Sequence, residues 1–149
     1  MSDDTIFMRR ALALAKEAAD QGEVPVGAVI VRDGQIVSEA YNRRELDKNA
    51  LAHAELLAID KACAALGGWR LHQCELYVTL EPCPMCAGAI VNARIKRVIV
   101  GAKDPKAGAM GSLININHYP LNHHPKVEFG LLGDEAAAML RDFFRRLRK

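Results

Sequence analysis

No stretch of the 149 residues approaches the roughly 20 consecutive apolar positions that a membrane-crossing helix needs, so no membrane partner is expected. The segment Met1-Ser2-Asp3-Asp4 is acidic and has no long apolar run behind it, which argues against a signal peptide. Cysteine is scarce, four in all, and a hydrophobic content of 50% supports a core without any disulfide framework. Cys63 and Cys74 lie inside apolar segments and read as small buried residues. Together these features place the chain in a reducing compartment, the cytoplasm. A net charge of +2 is too small to announce a nucleic-acid partner, so the distribution of charge must carry that argument. It is uneven only at the C-terminus, in Arg141, Arg145, Arg146, Arg148 and Lys149. Repeats, linkers and low-complexity segments are missing, and the length suits one domain over residues 1–149.

What the sequence does contain is a pair of thiols three residues apart, in Leu80-Glu81-Pro82-Cys83-Pro84-Met85-Cys86, directly after a strand-like run. Cys83 and Cys86 can turn toward one metal ion, but they supply only half of a tetrahedral site. Upstream, Ala52-His53-Ala54-Glu55 offers an imidazole and a carboxylate at the head of an amphipathic segment. His53, Cys83 and Cys86 make three protein ligands, and three ligands leave a fourth position open for water, as in catalytic zinc sites.

Along the chain, Thr5 is a candidate cap for a first helix with Phe7, Ala11, Leu14, Ala15 and Ala18 at helical spacing, ended by Gly22. Val26 to Val31 reads as a strand covered on both faces, and Asp33-Gly34 is a hairpin-turn signal before Gln35 to Tyr41. After a polar loop, Leu56, Ile59, Cys63 and Leu66 mark the expected buried stripe of a second helix, with His53 and Glu55 in its first turn and Gly67-Gly68 as its stop. Glu75 to Leu80 is strand-like, Cys83 to Ala93 helix-compatible, and Arg97 to Ala102 strand-like again. The long connection from Lys103 to about Pro125 reads as functional or mobile, with a short helical turn near residues 113–116. A strand at 127–129 precedes a last helix capped by Asp134, with Ala136, Leu140, Phe143, Phe144 and Leu147 on one side. Alternation of this kind predicts an α/β fold in which helices cover both faces of a central sheet, with both ligand segments at helix beginnings. Helix N-termini favour thiolates there.

An open zinc position implies water acidified from a pKa of about 15.7 to about 7, and Glu55, two residues from His53, is placed to carry its proton. Such a pairing fits hydrolytic removal of an amino group from an amidine-like ring carbon.

His53-Ala54-Glu55 with Pro82-Cys83-Pro84-Met85-Cys86 resembles the zinc-dependent cytidine deaminase superfamily. Glu23-Val24-Pro25-Val26-Gly27-Ala28, the Thr79–Cys83 segment, the Gly101–Ser112 segment and Asp142-Phe143-Phe144-Arg145 narrow the resemblance to its bacterial tRNA-specific adenosine deaminase branch. The likeness spans almost the whole chain and departs most at 118–125, which is rich in His and Pro. It implies a three-layer α/β/α cytidine-deaminase-like fold with a mixed five-stranded sheet. It further implies one Zn2+ per chain on His53, Cys83 and Cys86, with Glu55 as the proton shuttle. Asn42, Ala54, Val24, Leu80 and Asp104 would surround the target base. Lys106 and a tail of Phe144, Arg145, Arg146 and Arg148 would approach the RNA backbone. The activity implied is adenosine-to-inosine deamination in tRNA at the anticodon wobble position, with the anticodon stem-loop as partner and a homodimer as the working form.

Plainer readings stand beside these. The Cys pair also fits a structural zinc knuckle or a redox pair, although a second Cys pair is missing and neither explains His-x-Glu. Asn42 also fits an ordinary turn, His118, His123 and His124 fit loop positions, and the basic tail fits a solvated helix end. For function, the runner-up is a free nucleobase or nucleotide deaminase of cytosine or guanine type. A noncatalytic zinc-stabilised RNA-binding module is the third reading.

Overall fold

The computed structural model describes residues 3–148. Helix α1 is Asp3–Asp20, strand β1 Gly27–Arg32, β2 Gln35–Tyr41, α2 Ala54–Leu66, β3 Cys74–Leu80, α3 Pro84–Ala93, β4 Arg97–Ala102, β5 Lys126–Phe129 and α4 Gly133–Leu147. The strands make one sheet in the order β2-β1-β3-β4-β5. β1 is antiparallel to β2 and β3, while β3, β4 and β5 run parallel, so the sheet is mixed as expected.

Side-chain alternation sorts the apolar residues onto two faces. Ala28, Ile30, Leu76, Val78, Val98 and Val100 pack with Ala54, Ala58 and Ala62 of α2 and with Ala87 and Ile90 of α3. Val29, Val31, Tyr77 and Ile99 pack instead with Phe7, Met8, Ala11 and Leu14 of α1. α4 joins the α1 side through Ala136, which packs with Leu12 and Ala102. Three layers result. Gly27 permits the close seating of α1, because a Cβ there would overlap the Ala11 carbonyl and lie 2.8 Å from the Ala15 nitrogen.

Every strand lies within one residue of its expected bounds, and Asp33 (φ 51°) and Gly34 (φ 76°) supply the left-handed pair that a tight hairpin requires. The helix details differ. α1 already includes Asp3, so Thr5 is inside it, and Asp3 and Asp4 meet the positive end of its dipole. On α2 the buried stripe is Ala54, Ala58 and Ala62, with Ile59 and Cys63 half-buried and Leu66 exposed. Small side chains let this helix lie close to the sheet, and the larger ones are displaced to its flanks. Leu132 (φ 54°) occupies the cap position of α4 and puts Asp134 in the first turn. Only Ala136 and Phe143 of its expected apolar side are buried, while Phe144 and Leu147 are exposed. The short helical turn comes at Ile116–His118, just after the expected place.

Arg97, at the start of β4, ties three elements together. Its guanidinium lies 2.6 Å from Asp4 Oδ2, 2.8 Å from Glu75 Oε2 and 2.5 Å from Glu128 Oε2. The Tyr77 hydroxyl also donates to Asp4, at 2.6 Å. Hydrogen bonding from Arg97 holds the Glu128 carboxyl below the usual carboxylate range. A carboxylate with a depressed folded pKa contributes stability above its unfolded pKa and loses it as the pH falls through the folded one. Arg97→Met is therefore expected to cost about 2 kcal/mol near neutral pH, reduced from fully buried pairs because these groups are partly exposed. Denaturant unfolding at several pH values should show the gap between variant and parent closing as the solution is acidified. A gap independent of pH would mean that Arg97 acts through packing alone.

Candidate active site

His53 immediately precedes α2 with extended backbone (φ −80°, ψ 149°), and Cys83 immediately precedes α3 in the same way (φ −73°, ψ 173°). His53 is thus a cap residue rather than part of the first turn, and Glu55 alone falls inside that turn. Pro84 at the first helical position suits a residue without an N–H to satisfy, and the turn it starts brings Cys86 onto the same side as Cys83. Both helix starts meet beyond the carboxyl end of β3, where open α/β sheets place their ligands.

There, His53 Nδ1 lies 3.7 Å from Cys83 Sγ and 3.6 Å from Cys86 Sγ. A tetrahedral ion with metal–sulfur bonds of about 2.3 Å and metal–nitrogen bonds of about 2.0–2.1 Å separates its ligand atoms by about 3.5 Å. The three residues therefore fit a metal, and they are the only His, Cys, Asp and Glu side chains among the described residues so grouped. His118, His123 and His124 form no second cluster among those residues. His123 and His124 bond the carbonyls of Ile95 and Tyr119, and His118 lies against Asn115.

The two thiols are chemically unequal. A hydrogen bond from Cys86, aided by backbone amides of Cys86 and Met85 and by nearby His53, outweighs burial and brings Cys83 down to about 5. Cys86 is pushed far up, first by that bond to Cys83, then by burial and the neighbouring Glu55. Glu55 is buried, and this raises its carboxyl to about 7.

A cavity of about 160 Å³ opens on this group, lined by Val24, Val26, Asn42, Arg44, His53, Ala54, Glu55, Leu80, Glu81, Cys83, Asp104 and Ala107. At about 30 Å³ per water in the liquid, it has room for about five waters, or for one planar base rather than a whole nucleotide. Of the residues expected from the sequence, Val24, Asn42, Ala54, Leu80 and Asp104 are brought together here with His53, Glu55 and Cys83. Asn42 is held by its Nδ2, which donates to the Val24 carbonyl at 3.3 Å.

Lys106 belongs to an adjoining groove of about 900 Å³, shared at its edge with Val24, Leu80, Asp104 and Ala107. Arg141, Phe144 and Arg145 line it from α4, Arg148 lines it from just past the end of that helix, and Lys103 lines it from the loop. Arg146 is absent from this lining and donates to the Asp142 carbonyl of its own helix, and Lys149 lies outside the described residues. A small apolar-walled pocket thus opens into a channel carrying five cations, an arrangement suited to one ring inside and phosphates outside. Arg44 and Glu81 show no sign of a pocket role in the sequence, because a single acid or base in a loop carries no periodic signal, whereas Lys103 lies in the long connection that reads as functional or mobile.

The family model described as MafB19-like deaminase matches residues 1–148. The chain is 51% identical to the tRNA-specific adenosine deaminase of Bacillus subtilis (strain 168), over 100% of this chain and 93% of that protein. Among solved structures, one from studies of A-to-I editing by tRNA:A34 deaminases at the wobble position of transfer RNA is 47% identical. It superposes with a TM-score of 0.89, covering 91% of this chain and 99% of that one. A guanine deaminase from Nitrosomonas europaea is also similar, at 25% identity and a TM-score of 0.79, covering 93% and 83% of the two chains.

Proposed function

The chain belongs to the tRNA-specific adenosine deaminase family, and from that premise we propose that it hydrolyses adenosine to inosine in tRNA, at the wobble position of the anticodon. The observation that carries the reading is the His53, Cys83 and Cys86 group beside buried Glu55, in a base-sized pocket that opens into a basic groove. One zinc ion per chain fits those ligands, and when bound it supplies a water acidic enough to act as nucleophile near neutral pH. Glu55 would take a proton from the attacking water as the water oxygen bonds to C6 of adenine, and pass it to the ring nitrogen N1. Glu55 would then take the proton of the new C6 hydroxyl and hand it to the amino group, so that the C6–N bond breaks, ammonia leaves, and the C6 carbonyl of inosine remains. Asn42 and the backbone near Ala54 orient the base, while Val24, Leu80 and Asp104 enclose it and exclude bulk water. Lys106, Phe144, Arg145, Arg146 and Arg148 hold the flanking strand. Arg146 reaches RNA in this reading only by exchanging its intrahelical bond for a phosphate.

The 25% likeness to a guanine deaminase keeps a free-base substrate as the second reading, but the cationic groove has no use for a ligand without phosphates. A single deaminase domain, acting as a homodimer in the cytoplasm, completes the proposal. Exposed Leu113, Ile114, Tyr119 and Leu121 offer apolar surface for a second copy. No helix among the described residues is long and apolar enough to cross a membrane.

Inosine formation in an anticodon stem-loop, followed against salt concentration, tests the RNA part of this reading. Removing the residues after Phe144 takes the three cations assigned to the strand, Arg145, Arg146 and Arg148, and should make the logarithmic salt slope shallower by about 2, with weaker binding and unchanged zinc. Identical slopes for full-length and shortened protein would show that the tail does not touch RNA.

A further inference from the structure

Two acids that the chemistry does not use are almost completely buried, Glu23 at 1% exposure and Glu81 at 2%. A buried carboxylate is costly unless its oxygens are hydrogen-bonded, and among the described residues neither forms an ion pair. Their partners are loop amides. Glu23 accepts from the backbone N–H of Glu45 at 3.1 Å and of Leu46 at 2.6 Å. Glu81 accepts from the N–H groups of Asp104, Met110 and Ser112, each at 3.0 Å, and from the Ser112 hydroxyl.

The two loops so held are the ones that bring Asn42 and Arg44, and Asp104 and Ala107, to the pocket. The acids themselves flank wall residues in the chain, Glu23 beside Val24 and Glu81 beside Leu80. β1 and β3 pair antiparallel, with Ala28 opposite Val78, so the start of one and the end of the other lie at the same end of the sheet. Gly108 allows its loop to press on Glu81, since a Cβ there would overlap the carboxylate and come within 2.6 Å of the Asp104 carbonyl oxygen. Irregular backbone at a pocket rim has no ladder to satisfy its N–H groups, and these carboxylates take that place.

We propose that Glu23 and Glu81 are positioning residues that set the width of the base pocket, each fixing one wall loop by its backbone. The inference rests on the reading that this pocket receives the target base. Replacing either acid by glutamine keeps its shape but turns one acceptor into a donor facing N–H groups, which loosens the loop without touching the zinc ligands or Glu55.

The experiment uses full-length zinc-loaded protein with Glu81→Gln, Glu23→Gln and the milder Ser112→Ala, which removes a single donor and keeps the fold. With an anticodon stem-loop, each glutamine variant should retain one zinc per chain, raise KM by about tenfold and leave kcat within about threefold. Ser112→Ala should raise KM by a few-fold. Amide hydrogen exchange should quicken by about tenfold or more at Asp104, Met110 and Ser112 in Glu81→Gln, and at Glu45 and Leu46 in Glu23→Gln. Unchanged exchange at those amides would overturn the proposal. So would a fall in thermal stability with KM unchanged, because the acids would then serve the fold alone. If the parent protein makes no inosine, the functional reading fails separately, and the exchange data still decide whether these carboxylates hold the loops.

Discussion

Glu55→Gln protein is expected to bind one zinc per chain, to melt within a few degrees of the parent, and to deaminate at about one thousandth of its rate or less. Positioned general acid–base groups contribute about 10²–10⁴-fold, and here one carboxyl serves proton transfers at both the attack and the departure of ammonia. The side chain is buried and faces Cys86 and Cys83, outside the His53, Cys83 and Cys86 triangle but against it. Glutamine fills the same space and cannot carry a proton. kcat should therefore fall while KM for the stem-loop stays near its original value, the mark of a group that acts only in the transition state. A variant that keeps its zinc and its rate would remove Glu55 from the mechanism.

Cys83→Ser and Cys86→Ser are expected to hold far less than one zinc per chain, to lose activity by three orders of magnitude or more, and to melt earlier. Thiolate is the ligand that a hydroxyl replaces poorly, and with one ligand lost only two protein ligands remain. Zinc present at about 1,000 times its dissociation constant stabilises a fold by about 4 kcal/mol, all of which the variants forgo. Metal analysis, with melting in the presence and absence of a chelator, reads both effects. Parent protein should be destabilised by the chelator and the serine variants should not. Stoichiometric zinc in both variants would refute the ligand set.

His53, Glu55, Cys83 and Cys86 were legible in the sequence because each pair is separated by only one or two residues at a helix start, where chain geometry alone fixes what can converge. β1, β3 and β4 were legible for a related reason, since residues covered on both faces leave continuous apolar runs, while β2 was marked by the Asp33-Gly34 turn before it. Less visible was the stripe of α2. Large apolar residues at helical spacing point to Leu56, Ile59, Cys63 and Leu66, yet the helix sits too close to the sheet for them and buries Ala54, Ala58 and Ala62 instead. The cap of α4 misled in the same local way, because Leu132 adopts a left-handed conformation that its side chain does not advertise. The pocket walls come from five separate segments, and only the family resemblance brought Val24, Asn42, Leu80 and Asp104 together in advance. Resemblance also placed Arg146 with the RNA-facing tail, whereas the helix turns it away from the groove and turns Arg141 into it. Glu23 and Glu81 gave no signal, since an acid that binds backbone amides across more than 20 residues looks in sequence like any other acid.

The central claim is that the base pocket works on adenosine presented by a folded RNA, and a side-by-side assay of purified zinc-loaded protein tests it most directly. The substrates are an anticodon stem-loop with a wobble adenosine, the same stem-loop with cytidine there, and free adenosine, cytidine, cytosine and guanine. Selectivity within one zinc chemistry comes from the pocket walls and from contacts to the flanking nucleotides, and in the proposed reading those contacts fall to the groove of Lys103, Lys106, Arg141, Arg145 and Arg148. Inosine should form in the first stem-loop, with little turnover of the others. Rapid deamination of a free base, with no inosine in the stem-loop, would contradict the account.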